Sequence, residues 1–99
     1  MVGQSAASAS AAVVCPTTPT PSDKDQSSYF YALQGDTNIR TGPYWGCDIV
    51  NTAGRNNLVD YHCYTDGEDG TWTYLRTKNT VYGWVWDPYL SGDGSGERC

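Results

Sequence analysis

Leu58-Val-Asp-Tyr-His-Cys-Tyr-Thr-Asp-Gly-Glu-Asp-Gly-Thr-Trp-Thr-Tyr-Leu-Arg-Thr77 decides the fold. From Leu58 to Tyr64 the residues alternate, with Val59, Tyr61 and Cys63 on one face and Asp60, His62 and Tyr64 on the other. That period of two is the pattern of a half-buried strand. Thr65–Gly70 contains Asp66-Gly67 and Asp69-Gly70, and Asp-Gly between alternating runs is a hairpin signal. Thr71–Thr77 is the returning strand.

Working outward, the same punctuation recurs. Tyr29–Leu33 reads as a short aromatic strand closed by Gln34-Gly35-Asp36. Thr37–Arg40 is extended and ends at Thr41-Gly42-Pro43. Cys47–Val50 is short and apolar, with a turn cluster at Ala53–Asn57. Beyond a Lys78-Asn79 turn, Val81–Trp86 forms the last strand, broken by Asp87-Pro88. No window carries helical periodicity. Five to six short antiparallel strands joined by tight turns predict an all-β fold, a small barrel or sandwich.

Composition narrows the possibilities. The 99 residues hold one small domain. Residues 1–28 are mostly Ala, Ser, Thr, Pro and Gln, which predicts a disordered or extended leader before a folded unit at 29–99. Within it Cys15–Ser28, with Pro16, Pro19 and Pro21, reads as a tether on a polyproline-like path. Eight Tyr, four Trp and one Phe dominate a thin aliphatic stock. The net charge is −5, six basic against eleven acidic residues, so the basic face that nucleic acid or an anionic membrane requires is missing. No run approaches the ~20 apolar residues of a membrane span.

Cys15, Cys47, Cys63 and Cys99 are an even number of widely spaced cysteines without a Cys-x-x-Cys, and His62 is the sole histidine. A structural zinc site is disfavoured, since it usually takes two ligands from one tight knuckle; two disulfides and an oxidising compartment are expected. Ala9-Ser10-Ala11 looks like the end of a signal peptide, although the basic and long apolar parts are missing. A signal remnant or a flexible lead both say secreted. Four cysteines allow three connectivities. Cys15–Cys47 with Cys63–Cys99 is preferred, since the tail can fold back to Cys63 and Cys15 can tie the tether to the long loop. Cys15–Cys99 with Cys47–Cys63 stays open.

Two segments resemble a known family, the bacterial SH3-like (SH3b) domains of secreted and cell-wall-associated proteins, including small secreted actinobacterial members. Asn38-Ile-Arg-Thr-Gly-Pro43 is similar to that family's Asn-(Val/Ile)-Arg-(Ser/Thr)-Gly-Pro segment at the mouth of its long loop. Gly83-Trp-Val-Trp-Asp-Pro-Tyr-Leu90 is similar to its closing Gly-Trp-Val-x-x-x-Tyr-Leu, and Trp72-Thr-Tyr-Leu75 stands where the family has a Trp-Tyr-x-Val strand. Cys47 departs from a frequent Tyr, and Trp45 is unusual in the loop. The resemblance covers Tyr29–Leu90 and implies a half-open SH3-like barrel with Ile39, Ile49, Val50, Val59, Tyr61, Leu75, Val85 and Leu90 inward.

If Leu75 and Val85 point inward, period two turns Trp72, Tyr74, Tyr82, Trp84 and Trp86 outward. Tyr44 and Trp45 lie on the long loop and Tyr89 on the last turn. The resemblance implies that loop, turn and the start of the Trp72 strand converge on one groove. Candidate ligand-binding residues are therefore Trp72, Tyr89, Trp86, Tyr44, Trp45, Tyr74 and, at the loop mouth, Asn38. Flat rings offer large contact area at little rotamer cost. The competing reading is that rings merely cover a thin barrel; it suits Trp84 best and leaves Trp86, Tyr44 and Trp45 between the two.

No enzyme is expected. His62 lacks a free Cys or an activated Ser and reads as a surface residue; Asp48, Asp60 and Asp87 lack a glycosidase-sized cleft. Asp66, Glu68 and Asp69 read as a solvated turn, since they lack a calcium-loop pattern. No metal site and no cofactor are predicted. The expected function is a monomeric, extracellular or cell-wall-associated binding module for peptidoglycan peptide or glycan, or for an extended protein segment. The alternative is a small secreted inhibitor or effector acting through Pro43–Cys47 or Asp66–Gly70.

Overall fold

The computed structural model describes residues 15–55 and 57–99. Among the described residues six strands form, in chain order β1 (Tyr31–Ala32), β2 (Thr37–Arg40), β3 (Ile49–Ala53), β4 (Leu58–Gly67), β5 (Gly70–Thr77) and β6 (Tyr82–Trp86). They make one antiparallel sheet in the order β1-β4-β5-β6-β2-β3. The β4–β5 hairpin is its longest pairing and turns at Gly67–Gly70, where Asp69 takes a left-handed φ of 64°, a conformation Asp tolerates better than most residues. Two 3₁₀ turns, Asp87–Tyr89 and Ser91–Asp93, follow β6.

The sheet stays open, because β1 and β3 are its two edges and do not pair with each other. It nevertheless curls. Leu33, just after β1, bridges Leu90, just beyond the first 3₁₀ turn, and the Gln34 N–H donates to Tyr89 O at 2.9 Å. A flat sheet would hold β1 and β6 three strand spacings apart, about 14 Å. Inside the curl Leu33, Ile39, Ala53, Val59, Tyr61, Leu75, Val85 and Leu90 form one buried cluster. Gly83 stands opposite Leu75, and a Cβ there would meet Ile39 Cγ2 at 2.5 Å; the β6–β2 contact requires its missing side chain.

The outer face is not bare. Cross-strand pairs Trp72–Trp86, Tyr74–Trp84 and Arg76–Tyr82 build an aromatic ladder there. Cys63, Trp72, Tyr74 and Trp84 form a second buried cluster, with Trp45 and Trp86 packed against it. Disulfides Cys15–Cys47 and Cys63–Cys99 anchor the segments beside it. This is the preferred pairing, and no described cysteine is free.

Several expectations are corrected. Trp72 and Tyr74 do face outward but are buried, because the Trp45 ring packs on Trp72 and His62, Tyr82 and Trp84 surround Tyr74. Cys63 does not share a face with Val59 and Tyr61: the register shifts between Tyr61 and Cys63, a bulge with His62 as the extra residue. His62 is buried rather than a surface residue. Ile49 and Val50 are exposed, not inward, because β3 is an edge strand paired only with β2. The first strand shrinks to Tyr31–Ala32, leaving Phe30 exposed. Of the proposed leader, residues 1–14 lie outside the described residues. Residues 15–28 carry no strand or helix yet are bound to the body, with Thr17 N–H on Thr41 O and Lys24 N–H on His62 O at 2.9 Å.

Candidate functional site

The loop between β2 and β3 projects Trp45, and three sets of contacts hold it in place. Arg40 Nη1 donates to Trp45 O at 2.8 Å and Cys47 O at 3.1 Å, with its guanidinium over the indole. Glu68 Oε1 accepts the Trp45 backbone N–H at 3.0 Å, and Asp69 Oδ2 accepts its indole N–H at 2.7 Å. Cys47 is bonded to Cys15. Gly67 permits this docking, since a Cβ there would strike Pro43 O and Trp72 Cδ1; the Glu68 N–H also donates to Pro43 O.

Around Trp45 the other rings meet edge to face. Its centroid lies 4.7 Å from Trp72, 5.5 Å from Trp86 and 6.3 Å from Tyr89, and Trp86 lies 5.2 Å from Tyr89. Trp72 Nε1 donates to Glu68 O at 2.7 Å and Trp86 Nε1 to Asp69 O at 3.1 Å. The hairpin tip thus collects the N–H of three indoles. Glu68 and Asp69, read from sequence as a solvated turn, are the brackets that orient the rings.

These rings form one side of a cleft of about 260 Å³ lined by Asp36, Thr37, Asn38, Arg40, Trp45, Thr52, Trp72, Trp86 and Tyr89. Among the sequence candidates, Trp45, Trp72, Trp86, Tyr89 and Asn38 come together here. Tyr44 and Tyr74 are not in the lining; Tyr74 stacks with Tyr82 and tilts against Trp84 further along the ladder. Asp36, Thr37, Arg40 and Thr52 were not anticipated as lining. Period two from Asn38 reaches Asp36 and Arg40, and Thr52 is the cross-strand partner of Asn38, with its hydroxyl on Asn38 Oδ1 at 2.9 Å. The first of these signals is visible in the sequence; the second needs the β2–β3 register.

Tyr89 reaches the cleft because the 3₁₀ turn is moored. Asp87 is buried and accepts the hydroxyls of Thr71 at 2.6 Å and Thr73 at 2.7 Å. Burial pushes its carboxyl above the usual aspartate range, against the pull of those two donors. Asp48, Asp60 and Asp87 do not gather as a catalytic set: Asp48 is exposed, Asp60 contacts His62, and Asp87 is bound to β5.

With its indole N–H groups occupied, the cleft offers ring faces and edges, hydroxyls, the Asn38 amide, one guanidinium and the Asp36 carboxylate. That set suits stacking and hydrogen bonding. Comparison with known family models, curated proteins and solved structures finds no match to this chain.

Proposed function

We propose that this is a secreted, non-catalytic binding module of the SH3-like class that takes an extended cell-wall peptide or glycan, or an extended protein segment, into the Trp45–Trp86–Tyr89 cleft. The carrying observation is the locking of three indoles by one hairpin tip, which fixes their faces before any ligand arrives. Preorganised rings lower the ordering cost of binding. Support for the SH3-like class comes from the six-stranded antiparallel order and from Leu90 returning to Leu33 after the 3₁₀ turn. Two disulfides fit an oxidising compartment, and no described helix is long and apolar enough to cross a membrane.

The test is sedimentation with purified peptidoglycan, wild type against Trp86→Ala and Tyr89→Ala. Sedimentation lost in both variants, measured well below the melting transition of each, supports the reading. Sedimentation equal to wild type in both removes the cleft from it. A second reading rests on the bracing of Pro43–Cys47 against the hairpin tip: a rigid loop pair suits an inhibitor that docks on another protein. Stoichiometric capture of one secreted protein without wall sedimentation would favour that alternative.

A further inference from the structure

Beyond the cleft, the bulge in β4 assembles a different kind of site. Asp60 and His62 lie on β4 and are both buried. Asp23 comes from the extended strap 15–28, whose backbone runs beside β4 where the Lys24 N–H meets His62 O. His62 Nε2 is 3.3 Å from Asp60 Oδ2 and 3.6 Å from Asp23 Oδ2, and the three ligand atoms lie within 4.8 Å of one another.

Those separations are long for charge-assisted hydrogen bonds, which run at about 2.7–2.9 Å. Both distances from the imidazole match edges of a metal polyhedron, since tetrahedral ligands at about 2.0–2.2 Å from zinc stand about 3.3–3.6 Å apart, and the edge between the two carboxylates lies within 4.8 Å. A second observation points the same way. Asp60 Oδ1 is buried with no hydrogen-bond partner. Arg76 sits directly opposite on β5, yet its guanidinium lies over the rings of Tyr29 and Tyr82, 5.9 Å from each centroid. Among the described residues no ion pair joins Arg76 to Asp60.

From this geometry we infer that Asp23, Asp60 and His62 form a divalent transition-metal site, with zinc as the fitting ion, which fastens the strap to β4. One imidazole nitrogen and two carboxylate oxygens are ligands zinc accepts, whereas calcium takes six to eight oxygens. Three protein ligands leave a fourth position to solvent. Bulges commonly re-aim a side chain next to functional sites, and here the bulged residue is the histidine itself. Tyr74 and Tyr82 flank the imidazole at 5.8 and 5.9 Å, walling it on the ladder side. The site is independent of the aromatic cleft, which is lined by Trp72 and Trp86 on another rung of the ladder.

The experiment titrates chelator-treated full chain with Zn²⁺ by calorimetry near neutral pH, with Ca²⁺ in parallel. The expected result is one Zn²⁺ per chain and no comparable Ca²⁺ uptake. Asp23→Asn and His62→Gln should each lower Zn²⁺ affinity at least tenfold. Asp23 is exposed, so its variant keeps the fold even if the His62 variant does not. A second readout is trypsin cleavage after Lys24, which lies in the strap beside His62: Zn²⁺ should slow it in wild type and leave it unchanged in Asp23→Asn. No stoichiometric Zn²⁺ uptake by the folded protein overturns the inference, as does uptake that neither substitution weakens.

Discussion

Trp86 and Tyr89 differ from Trp72 in what their removal does, although all three touch the cleft. Tyr89 is 42% exposed and Trp72 is 1% exposed. Trp72→Ala should therefore cost about 3–5 kcal/mol of stability, as buried aromatic truncations do, and cannot serve as a clean binding variant. Tyr89→Ala should leave the melting temperature within a few degrees of wild type. Trp86 is half-buried against the outer cluster, so Trp86→Ala should lower it by less than Trp72→Ala does. The Tyr89 and Trp86 variants should both weaken ligand at least several-fold. Thermal melts alongside a binding assay separate the two classes; a Trp72→Ala protein as stable as wild type would contradict the assigned burial. Asp87 makes a second residue-scale case. Its carboxyl is raised above the ordinary 3.8, first by burial, with the Thr71 and Thr73 hydroxyls acting the other way. The folded protein then holds this proton more tightly than the unfolded chain. That contribution is fully present below the unfolded value and lost as pH rises through the folded one. Wild type should gain stability relative to Asp87→Asn as pH falls from neutral toward 4. Melts of both proteins across that range check the sign, and a relative loss on acidification would show that the charged form is the favoured one.

At the scale of elements, the β4–β5 hairpin tip is the working part of the sheet. Glu68 and Asp69 accept from Trp45 through their side chains and from Trp72 and Trp86 through their carbonyls. Replacing both with Ala removes two carboxylate acceptors, each worth about 1.5–3 kcal/mol, and places Ala at the left-handed φ of Asp69, where it is less well tolerated than Asp. The fold should persist while Trp45 loses its orientation, seen as red-shifted tryptophan emission and weakened binding; unchanged emission and binding would show that the disulfide and Arg40 suffice to hold the loop. Strand positions were legible in the sequence because alternation is a local property: Val59, Tyr61, Leu75 and Val85 all reach the inner cluster. Covering is not local. Trp72 and Tyr74 have the face that period two assigns, but their burial depends on the Trp45 loop and on the neighbouring rings of His62, Tyr82 and Trp84. Cys63 escaped alternation because a bulge inserts one residue and inverts every face assignment after it. Ile49 and Val50 look like core by composition and are exposed, since edge position follows from strand order. The cleft was half legible. Five of its liners belong to the aromatic and Asn38 candidates, while Thr52 enters only through pairing with Asn38.

At the scale of the molecule, charge and cross-links set the constraints. A net charge of −5 and a single cation in the cleft, Arg40, leave little electrostatic attraction for an anionic polymer. Wall binding should change little between low and high salt; a steep salt loss would indicate a polyanionic ligand instead. The disulfides bear unequally on function. Cys15–Cys47 and Cys63–Cys99 span 32 and 36 residues, so by loop closure each should stabilise by about 2–4 kcal/mol. Their second partners sit in different places. Cys47 follows Trp45 within the loop that Arg40 holds by its carbonyls. Cys63 lies inside the outer cluster, and its partner Cys99 returns the tail to β4 through Tyr64, whose N–H donates to Glu97 O and whose carbonyl accepts the Cys99 N–H. Cys15→Ala with Cys47→Ala should therefore weaken ligand binding more than its loss of stability explains, because it loosens the loop that carries the central ring. Cys63→Ala with Cys99→Ala should lower the melting temperature by a similar or larger amount. Below its own melt it should still bind, because Trp45, Trp86 and Tyr89 keep their contacts. Binding isotherms of both double variants, measured well below each transition, decide between these roles. Equal binding in the two variants would mean that the Cys15 link holds the strap and contributes nothing to the cleft.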